Sequence, residues 1–326
     1  MKTKVVYVLI SGSEDIYTEQ LYISLWSCRR YNPDVETVVL TDPETLQHLQ
    51  NYLGIKDLVS EIIVKEFPVE MSRICRSRIL KTTIPEMLDG SFLYIDVDTV
   101  VTDSLEEIDF LDNEISLVED RHVKYYSQTG MLKLILKRSF KYYKRIPGLN
   151  VKYYNGGVLY CKNSSVGKDF FKDWHSNWLK YIEHSEDFLD QTALFETTER
   201  YKEYVRPLGH LYNVQVGAYK NPYKDNGKIL HFYNSSIGYY YKPLHPFFGR
   251  EYYMLIKDKG KLSDKVKDDI INCKDLFRYD FYNKGLKYVP TVIIDIYRHL
   301  RWKTYYNLLR PFSYFYYRRK LKKKNK

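Results

Sequence analysis

The stretch Phe92-Leu-Tyr-Ile-Asp96-Val-Asp98-Thr-Val-Val101 decides how this chain is interpreted. Its first four residues are apolar and predict a buried strand. Asp96 and Asp98 follow at positions i and i+2, where extended backbone points both side chains the same way. Two adjacent carboxylates repel each other unless a cation lies between them, and hard divalent ions prefer oxygen ligands. The stretch therefore predicts a metal site at the mouth of a sheet, of the kind that holds a diphosphate.

A solvated pair of aspartates in a polar loop is the alternative explanation of this pattern. The pair ends an apolar run, however, and Thr99-Val100-Val101 resumes an apolar path directly after it. Because the surroundings are apolar on both sides, the metal site is favoured over the solvated pair.

The size and composition of the chain fit a globular protein with a large core. Its 326 residues, 44% of them hydrophobic, suit one large domain with an appendage or two smaller domains. The apolar run Lys4–Ile10 is too short for a signal peptide, and no stretch approaches the roughly eighteen apolar residues of a membrane span. Four scattered cysteines without a C-x-x-C pair predict reduced thiols in a cytosolic protein: Cys28, Cys75, Cys161 and Cys273.

The positive charge of the chain is concentrated in its last segment. The formal net charge is +10, yet eleven lysines and arginines and no acidic residues fall between Arg298 and Lys326. Residues 1–297 retain 40 basic against 41 acidic residues and are nearly neutral. An interaction with an acidic surface is therefore expected of the tail and not of the body.

The first half of the chain alternates strand-like and helix-like segments. Strands are predicted at 4–11, 35–41, 61–65, 92–95 and 115–119, and helices from Ser13, from Asp42-Pro43 and over 72–88. Such βαβ alternation predicts an α/β fold in which a mostly parallel sheet is flanked by helices on both faces. In sheets of this type ligands bind at the carboxyl ends of the strands, where the two aspartates fall.

The second half carries polar side chains at the ends of further predicted elements. Gly156 and Gly157 lie in a predicted strand, where they permit positive φ and close approach of a ligand or another backbone. Asp190-Gln191 begins a short helix, and His231 lies in a late strand. Residues 121–152 are rich in tyrosine and lysine and are predicted to form either a solvated helix or an excursion over the site.

Four motifs follow one another along the chain: Asp96-x-Asp98, Asn155-Gly156-Gly157, Asp190-Gln191, and His231 in an Ile-Leu-His-Phe strand. A histidine at a strand end is by itself more often structural, but the ordered set resembles the family 8 glycosyltransferases over residues 4–245. The resemblance implies the GT-A fold, which is Rossmann-like and binds nucleotide sugars. It also implies a metal-dependent sugar transfer that retains the configuration of the donor.

The resemblance assigns roles at the diphosphate end of the site. Asp96, Asp98 and His231 would bind a divalent ion, Mn²⁺ or Mg²⁺, that grips the diphosphate of the donor. Arg78 matches an arginine that lies near the donor sugar and its phosphates. Positive charge at these positions suits the negative charge that develops on a leaving diphosphate.

The resemblance also assigns the part of the site that binds the nucleotide base. Tyr17 occupies the position where the family stacks an aromatic ring on uracil. The backbone of Ile10, Ser11 and Gly12, at the end of the first strand, would line that base. A UDP-sugar is therefore the expected donor.

The remaining motifs are assigned to the sugar. Asn155 would hydrogen-bond the sugar or hold the reacting groups, and Gly156 and Gly157 would allow its close approach. Asp190 would bind sugar hydroxyls, and Gln191 would lie beneath the anomeric carbon. A carboxylate or amide oxygen suits this place because the anomeric centre becomes cation-like during transfer.

One part of the family pattern is altered. The family follows its histidine closely with glycine and then lysine-proline-tryptophan, whereas here Gly238 and Lys242 lie farther from His231 and the tryptophan is replaced by leucine. The diphosphate ligand in this region is therefore open between Lys242 and Asn234, with Ser235 as a neighbour of the latter.

The tail combines basic residues with aromatic rings. Apolar residues recur at helical spacing from Val292 to Leu300, followed by an aromatic cluster and the basic run 318–326. This composition is typical of a helical anchor that lies on an anionic membrane surface. Single-stranded RNA binding and a solvated tail without a partner are the alternatives.

Together these features predict a glycosyltransferase that moves a hexose from a UDP-sugar to a lipid-linked saccharide, of lipopolysaccharide or capsule type. We predict a catalytic GT-A domain at 1–245, an appendage at 246–290 and the basic aromatic tail at 291–326. The enzyme is expected in the cytoplasm, peripherally on the inner face of the cell membrane, without a nucleic-acid partner.

Three other functions compete with this prediction. An inverting GT-A transferase needs a general base, for which Asp120 is the candidate. A nucleotidyltransferase would carry a glycine-rich basic loop after the first strand, but Ser11-Gly-Ser-Glu-Asp15 is acidic. A non-catalytic sugar-binding protein with a degenerate site is disfavoured by the complete set of motifs.

Overall fold

The computed structural model describes residues 1–120, 138, 141–144, 151–185, 188–216, 222–233 and 245–277. The predictions for 121–137, for Asn234, Ser235 and Lys242, and for the tail at 291–326 lie outside the described residues. The chain divides into two compact units, Met1–Val118 with Tyr154–Arg278 and Glu119–Tyr153 with Tyr279–Lys326. The first unit contains every described residue to which the family resemblance assigns a role.

The described strands are short. They are β1 Lys4–Val8, β2 Thr37–Thr41, β3 Glu61–Val64, β4 Phe92–Ile95, β5 Thr99–Val101, β6 Ile115–Glu119, β7 Tyr154–Cys161, β8 Val205–Pro207, β9 Val214–Gln215 and β10 Ile229–His231.

The helices connect and cover these strands. They are α1 Tyr17–Tyr31, α2 Pro43–Leu49, α3 Arg73–Thr82, α4 Ile84–Met87, α5 Ser165–Ile182, α6 Gln191–Arg200, α7 Arg250–Lys259 and α8 Asp264–Ile271. Single 3₁₀ turns occur at Lys56–Leu58, Glu106–Phe110, His210–Tyr212 and Pro246–Phe248.

The described strands form a seven-stranded sheet in the order β3-β2-β1-β4-β7-β6-β8 and a three-stranded sheet in the order β5-β10-β9. Strands β3, β2, β1 and β4 are parallel neighbours, which confirms the predicted parallel sheet. The next pair, β4 and β7, is antiparallel. The chain leaves β4 for the smaller sheet through β5, returns to the large sheet in β6, and then adds β7 between β4 and β6.

Side chains of β1, and of Leu9 directly after it, alternate between two apolar clusters, one on each face of the sheet. Val5, Tyr7 and Leu9 pack with α1, α7 and α8, whereas Val6 and Val8 pack with α3 and α5. The described helices of the predicted appendage thus bury side chains in the same core as β1. The division into domains at residue 245 stays a prediction.

Two helix starts, at Asp42 and Asp190, lie where their sequence signals predict them, and a third is capped by Ser164 in the same way as the first is by Asp42. The Asp42 carboxylate accepts a hydrogen bond from the Thr45 N–H at 2.8 Å, and the Ser164 hydroxyl accepts one from the Gly167 N–H at 3.0 Å. Asp190 directly precedes α6, as the sequence predicts.

Two predicted helix boundaries are wrong. The first helix begins at Tyr17, because Asp15 folds back and accepts hydrogen bonds from the Gly12 and Tyr17 N–H groups at 3.0 and 3.1 Å. The helix predicted over 72–88 is interrupted at Thr83, since Pro85 has no N–H to donate to the preceding turn and its ring crowds that turn.

None of the helices in the described part of the chain combines the length and the apolarity that crossing a membrane requires.

Candidate active site

Asp96 and Asp98 lie in the turn between β4 of the large sheet and β5 of the small one. The backbone is not extended here, so the period of two is the wrong reason for the convergence of the carboxylates. The turn brings them together instead. It is fixed by a hydrogen bond from the Asp96 N–H to the Gly157 carbonyl at 2.8 Å and by one from the Thr99 hydroxyl to the Asp96 carbonyl at 2.9 Å.

His231 reaches the same turn because β10 pairs with β5. The two strands are antiparallel with His231 opposite Thr99, and the Phe232 N–H donates to the Asp98 carbonyl at 2.8 Å. The His231 Nε2 consequently lies 3.1 Å from Asp98 Oδ1 and 3.9 Å from Asp96 Oδ2. Sheet pairing therefore assembles the three residues from two distant segments.

The three side chains fit a divalent cation. One ligand atom from each lies within 4.8 Å of the others, and the set consists of two carboxylates and one imidazole. Carboxylate oxygens suit hard divalent ions, and imidazole extends the choice to Mn²⁺ and similar metals. The histidine is buried and the aspartates are half-buried, so one side of the cluster remains open to a ligand.

The close approach of these side chains shifts the pKa values of Asp98 and His231. Burial opposes ionisation of Asp98, yet the neighbouring His231 charge and its hydrogen bond hold the pKa of Asp98 below its ordinary value. Burial also opposes a charge on His231, but the Asp98 carboxylate raises the pKa of the imidazole above its ordinary value. A proton on His231 thus occupies the nitrogen that a metal ion requires.

Gly157 is required by close packing against this cluster. A Cβ atom at this position would lie 2.8 Å from Asp96 Oδ2 and 2.9 Å from Asn155 Oδ1, and nearer still to the His231 ring. The positive φ that the sequence suggested for the two glycines does not occur at either of them. Close approach is the reason for glycine at 157.

Asn155 and His231 are connected through a buried asparagine, Asn213. The Asn155 Oδ1 accepts hydrogen bonds from the Gly157 N–H and from Asn213 Nδ2, both at 2.9 Å. The Asn213 Oδ1 lies 3.0 Å from His231 Nδ1. The metal cluster and the Asn155 motif are therefore parts of one hydrogen-bonded network.

Two cations surround the predicted sugar-binding carboxylate, Asp190. The Arg78 Nε lies 3.2 Å from Asp190 Oδ1, and the Lys81 Nζ lies 3.5 Å from Asp190 Oδ2. Burial alone would raise the pKa of Asp190, but Arg78 and Lys81 together hold it below its ordinary value. Asp190 is therefore ionised at neutral pH.

Lys81 also joins the sugar side of the site to the metal side. Its Nζ lies 3.4 Å from Asp96 Oδ1 and 4.7 Å from the centre of the Tyr94 ring, and the residue is only 4% exposed. The Tyr94 hydroxyl donates a hydrogen bond to the same Asp96 oxygen. Asp96 Oδ1 is thus held by protein groups, while Oδ2 faces His231.

Gln191 is held against β7 by both ends of its side chain. Its Oε1 accepts a hydrogen bond from the Gly156 N–H at 3.2 Å, and its Nε2 donates to the Tyr154 carbonyl. The amide is therefore fixed in orientation next to the Asn155 motif. Its predicted place beneath the anomeric carbon stays a prediction.

The predicted base-binding segment forms an ordered loop between β1 and α1. The Ser11 hydroxyl donates to Asp15 Oδ1 at 2.6 Å and accepts from the Thr18 hydroxyl at 2.8 Å. Tyr17 begins α1 with 40% of its surface exposed, so its ring is available for stacking. The roles of Ile10, Ser11, Gly12 and Tyr17 toward a base stay predictions.

Sequence reasoning missed three members of this site, Lys81, Tyr94 and Asn213. Lys81 follows Arg78 by three residues on one helix, a spacing that places both on the same face and was a usable signal. Tyr94 precedes Asp96 by two residues in the quoted stretch. Asn213 belongs to none of the sequence motifs. Its place in the site depends on the pairing of β9 with β10, which the local sequence does not reveal.

A comparison with protein-family models matches residues 8–243 to the model described as Glycosyl transferase family 8. A comparison with curated proteins finds no match.

Several solved glycosyltransferase structures resemble this chain at low sequence identity. The glycosyltransferase GlyE of Streptococcus pneumoniae TIGR4 is 18% identical with a TM-score of 0.50, and the match covers 85% of this chain and 65% of the GlyE chain. The bifunctional glycosyltransferase WbbM is 16% identical with a TM-score of 0.53, and the match covers 80% of this chain and 52% of the WbbM chain. Mouse xyloside xylosyltransferase 1 is 11% identical with a TM-score of 0.50, and the match covers 72% of this chain and 98% of the xylosyltransferase chain. These likenesses show a shared fold.

We expect Asp98→Asn to weaken Mn²⁺ binding about a hundredfold or more, because it removes a charged ligand from a three-residue cluster. Affinity of the unaltered protein should also rise with pH through the raised pKa of His231, since metal binding requires the unprotonated imidazole. Isothermal titration calorimetry over a pH series measures both effects.

The matched control is Asp112→Asn, which neutralises an aspartate that is exposed and pairs with Lys162. It should bind Mn²⁺ as the unaltered protein does. Equal affinities of Asp98→Asn and the unaltered protein would remove Asp98 from the metal site.

Proposed function

The chain belongs to glycosyltransferase family 8, and on this basis we propose that it transfers a hexose from a UDP-sugar to a saccharide acceptor with retention. It is a glycosyltransferase of the GT-A fold that uses a nucleotide sugar and a divalent metal. The observation that carries the finer proposal is the joining of the Asp96–Asp98–His231 cluster to Asp190 and Asn155 through Lys81 and Asn213.

The first half of the reaction is departure of the nucleotide. When the sugar–phosphate bond breaks, negative charge develops on the diphosphate; Asp96, Asp98 and His231 would hold a divalent ion that would supply Lewis-acid stabilisation of that charge. Lys81, which is buried next to Asp96, and Arg78, which is half-buried next to Asp190, add two positive groups near the cluster. We propose Mn²⁺ as the ion, because the set combines an imidazole with two carboxylates.

The second half is attack by the acceptor. The acceptor hydroxyl forms its bond to the anomeric carbon on the face that the phosphate leaves, and its proton passes to the departing phosphate oxygen. Because that oxygen accepts the proton, no protein base is required. Asp190 holds sugar hydroxyls, while Asn155 and the fixed amide of Gln191 orient the reacting groups.

The hydrogen bonds of Gln191 bear on its role. Its Oε1 already accepts from the Gly156 N–H, and its Nε2 is committed to the Tyr154 carbonyl. An amide oxygen that is neutral and already hydrogen-bonded is a weak nucleophile. We therefore propose that Gln191 stabilises the cation-like anomeric centre without forming a covalent intermediate.

The test of this function is nucleotide release from a panel of sugar donors. We expect the purified full-length protein to release UDP from one or more UDP-hexoses in Mn²⁺, and to release little from GDP-mannose. EDTA should abolish release, and Asp98→Asn should lower it several-hundredfold, because several kcal/mol of transition-state stabilisation are lost.

Asp112→Asn, the exposed control, should keep the release rate of the unaltered enzyme. Full activity in EDTA would overturn the metal-dependent mechanism.

We expect retention of the donor's anomeric configuration. An α-linked donor should give an α-linked product, because attack occurs on the face that the phosphate leaves. Proton NMR of the new linkage measures the outcome. A β-linked product would instead favour the inverting alternative with Asp120 as general base.

We propose further that the acceptor is lipid-linked and that the enzyme works peripherally on the inner membrane face in the cytoplasm. The support is compositional: a nearly neutral body is followed by eleven basic residues interleaved with aromatic ones. Each basic residue near an anionic surface contributes about 1 kcal/mol to binding, and interfacial rings add to this.

The full-length protein should sediment with vesicles containing anionic phosphatidylglycerol at low salt and be released progressively as salt rises, because surface charge pairing is screened over about 10 Å at 0.1 M. Deleting 298–326 should abolish sedimentation while donor hydrolysis persists, since the predicted site residues precede the deletion.

A full-length variant with the basic residues of 318–326 changed to glutamine separates charge from aromatic burial. Equal vesicle binding by full-length and truncated protein would overturn the membrane role. A preference of the tail for single-stranded RNA at matched charge would assign it to nucleic acid.

A further inference from the structure

We propose that Asn213 is a positioning residue that fixes the tautomer of His231 and presents its Nε2 lone pair to the metal cluster. The same side chain couples that cluster to Asn155 on the sugar side. The inference rests on the metal site of the proposed function, but it concerns a residue outside the four motifs of the sequence.

Asn213 is placed by the small sheet. It directly precedes β9, which runs parallel to β10 with Gln215 beside His231. The residue is fully buried, so its amide cannot exchange its partners for water. An unsatisfied buried amide is costly, and the orientation of this one is therefore set by its neighbours.

The orientation can be deduced from a backbone group whose polarity is certain. The Gly157 N–H can only donate, so the Asn155 atom that lies 2.9 Å from it must be the carbonyl oxygen. The Asn213 atom that lies 2.9 Å from this oxygen must then be the amide nitrogen. The remaining Asn213 atom is consequently its carbonyl oxygen, an obligate acceptor.

That oxygen determines the state of His231. It lies 3.0 Å from Nδ1, and two acceptors cannot share a hydrogen bond, so Nδ1 must carry a proton. When a cation takes the place of a proton on Nε2, the nitrogen that lies 3.1 Å from Asp98 Oδ1, the Nε2 lone pair points at the cluster while Nδ1 keeps its proton. The Gly157 N–H thus fixes the orientation of the Asn155 amide, and Asn155 fixes that of the Asn213 amide. Asn213 in turn fixes the proton on His231 Nδ1.

The arrangement is suited to a cation. A neutral His231 in this tautomer directs an acceptor at two carboxylates that are also acceptors, which is unfavourable unless a positive ion lies among them. The opposite tautomer would donate from Nε2 to Asp98 and leave no lone pair for the metal. Partners of this kind outside the ligand shell typically affect metal affinity by about 10- to 100-fold.

The direct test uses the unaltered protein saturated with Mg²⁺, which is diamagnetic and so leaves the imidazole signals observable. With eight histidines in the chain, ¹⁵N-histidine labelling and long-range ¹H–¹⁵N correlation resolve the imidazole tautomers at a pH where they are neutral. His231→Gln assigns the signal. We expect His231 to be protonated on Nδ1, and protonation on Nε2 would overturn the proposal whatever the variants do.

Two variants separate the two links of Asn213. Asn213→Ala removes both and should weaken Mn²⁺ binding about 10- to 100-fold. Asn213→Asp keeps an acceptor toward Nδ1 but loses the donor toward Asn155. It should retain both the tautomer and Mn²⁺ affinity to within about threefold of the unaltered protein, yet lower nucleotide release.

The matched control is Asn32→Ala, at another buried asparagine whose amide is bonded at both ends, to the Cys28 carbonyl and the Leu105 N–H. It should lower the thermal midpoint without changing the His231 tautomer or Mn²⁺ affinity. Wild-type Mn²⁺ affinity in folded Asn213→Ala, or loss of the tautomer in Asn32→Ala, would make the role of Asn213 merely structural and overturn the proposal.

The same data distinguish this failure from failure of the proposed function. An unaltered protein that binds no Mn²⁺ contradicts the metal-dependent function. Metal binding by the unaltered protein together with unchanged Mn²⁺ affinity in Asn213→Ala contradicts only the role of Asn213.

Discussion

Repulsion among three carboxylates at the carboxyl end of the central sheet is the constraint on which the site depends. Asp96, Asp98 and Asp190 are all at most half-exposed, so water screens their charges poorly. Lys81 lies within 3.5 Å of oxygens of both Asp96 and Asp190, and Arg78 adds a second cation at Asp190. The remaining carboxylate, Asp98, lies against His231. Each acidic group thus has a partner built into the fold.

The architecture supplies these partners from several elements that meet at one edge. The helix α3 brings Arg78 and Lys81, the turn after β4 brings the aspartate pair, and β10 brings His231 from the small sheet. A glycine at 157 is what allows these groups to converge, because any side chain there would occupy the space of Asp96 and the imidazole. Close packing and the convergence of the charged groups therefore both require glycine at position 157 of β7.

Much of this could be predicted from the sequence, and the failures have physical reasons. The parallel half of the sheet follows from the βαβ alternation, and the aspartate pair follows from an apolar run that ends in carboxylates. The antiparallel strand β7 and the location of β10 depend on pairings between segments distant in sequence, which no local period records. His231 was identified only through the ordered motifs, and Asn213 was missed because its partners come from β7 and β10.

The charges of the described site fit the proposal that donor binding needs a metal. With His231 neutral, three carboxylates against Arg78 and Lys81 leave one net negative charge, which repels a diphosphate. A divalent ion among Asp96, Asp98 and His231 reverses this to one net positive charge, since a bound cation is the largest local charge in such a site. In the proposed function, a bound ion would therefore attract the diphosphate as well as stabilise its departure.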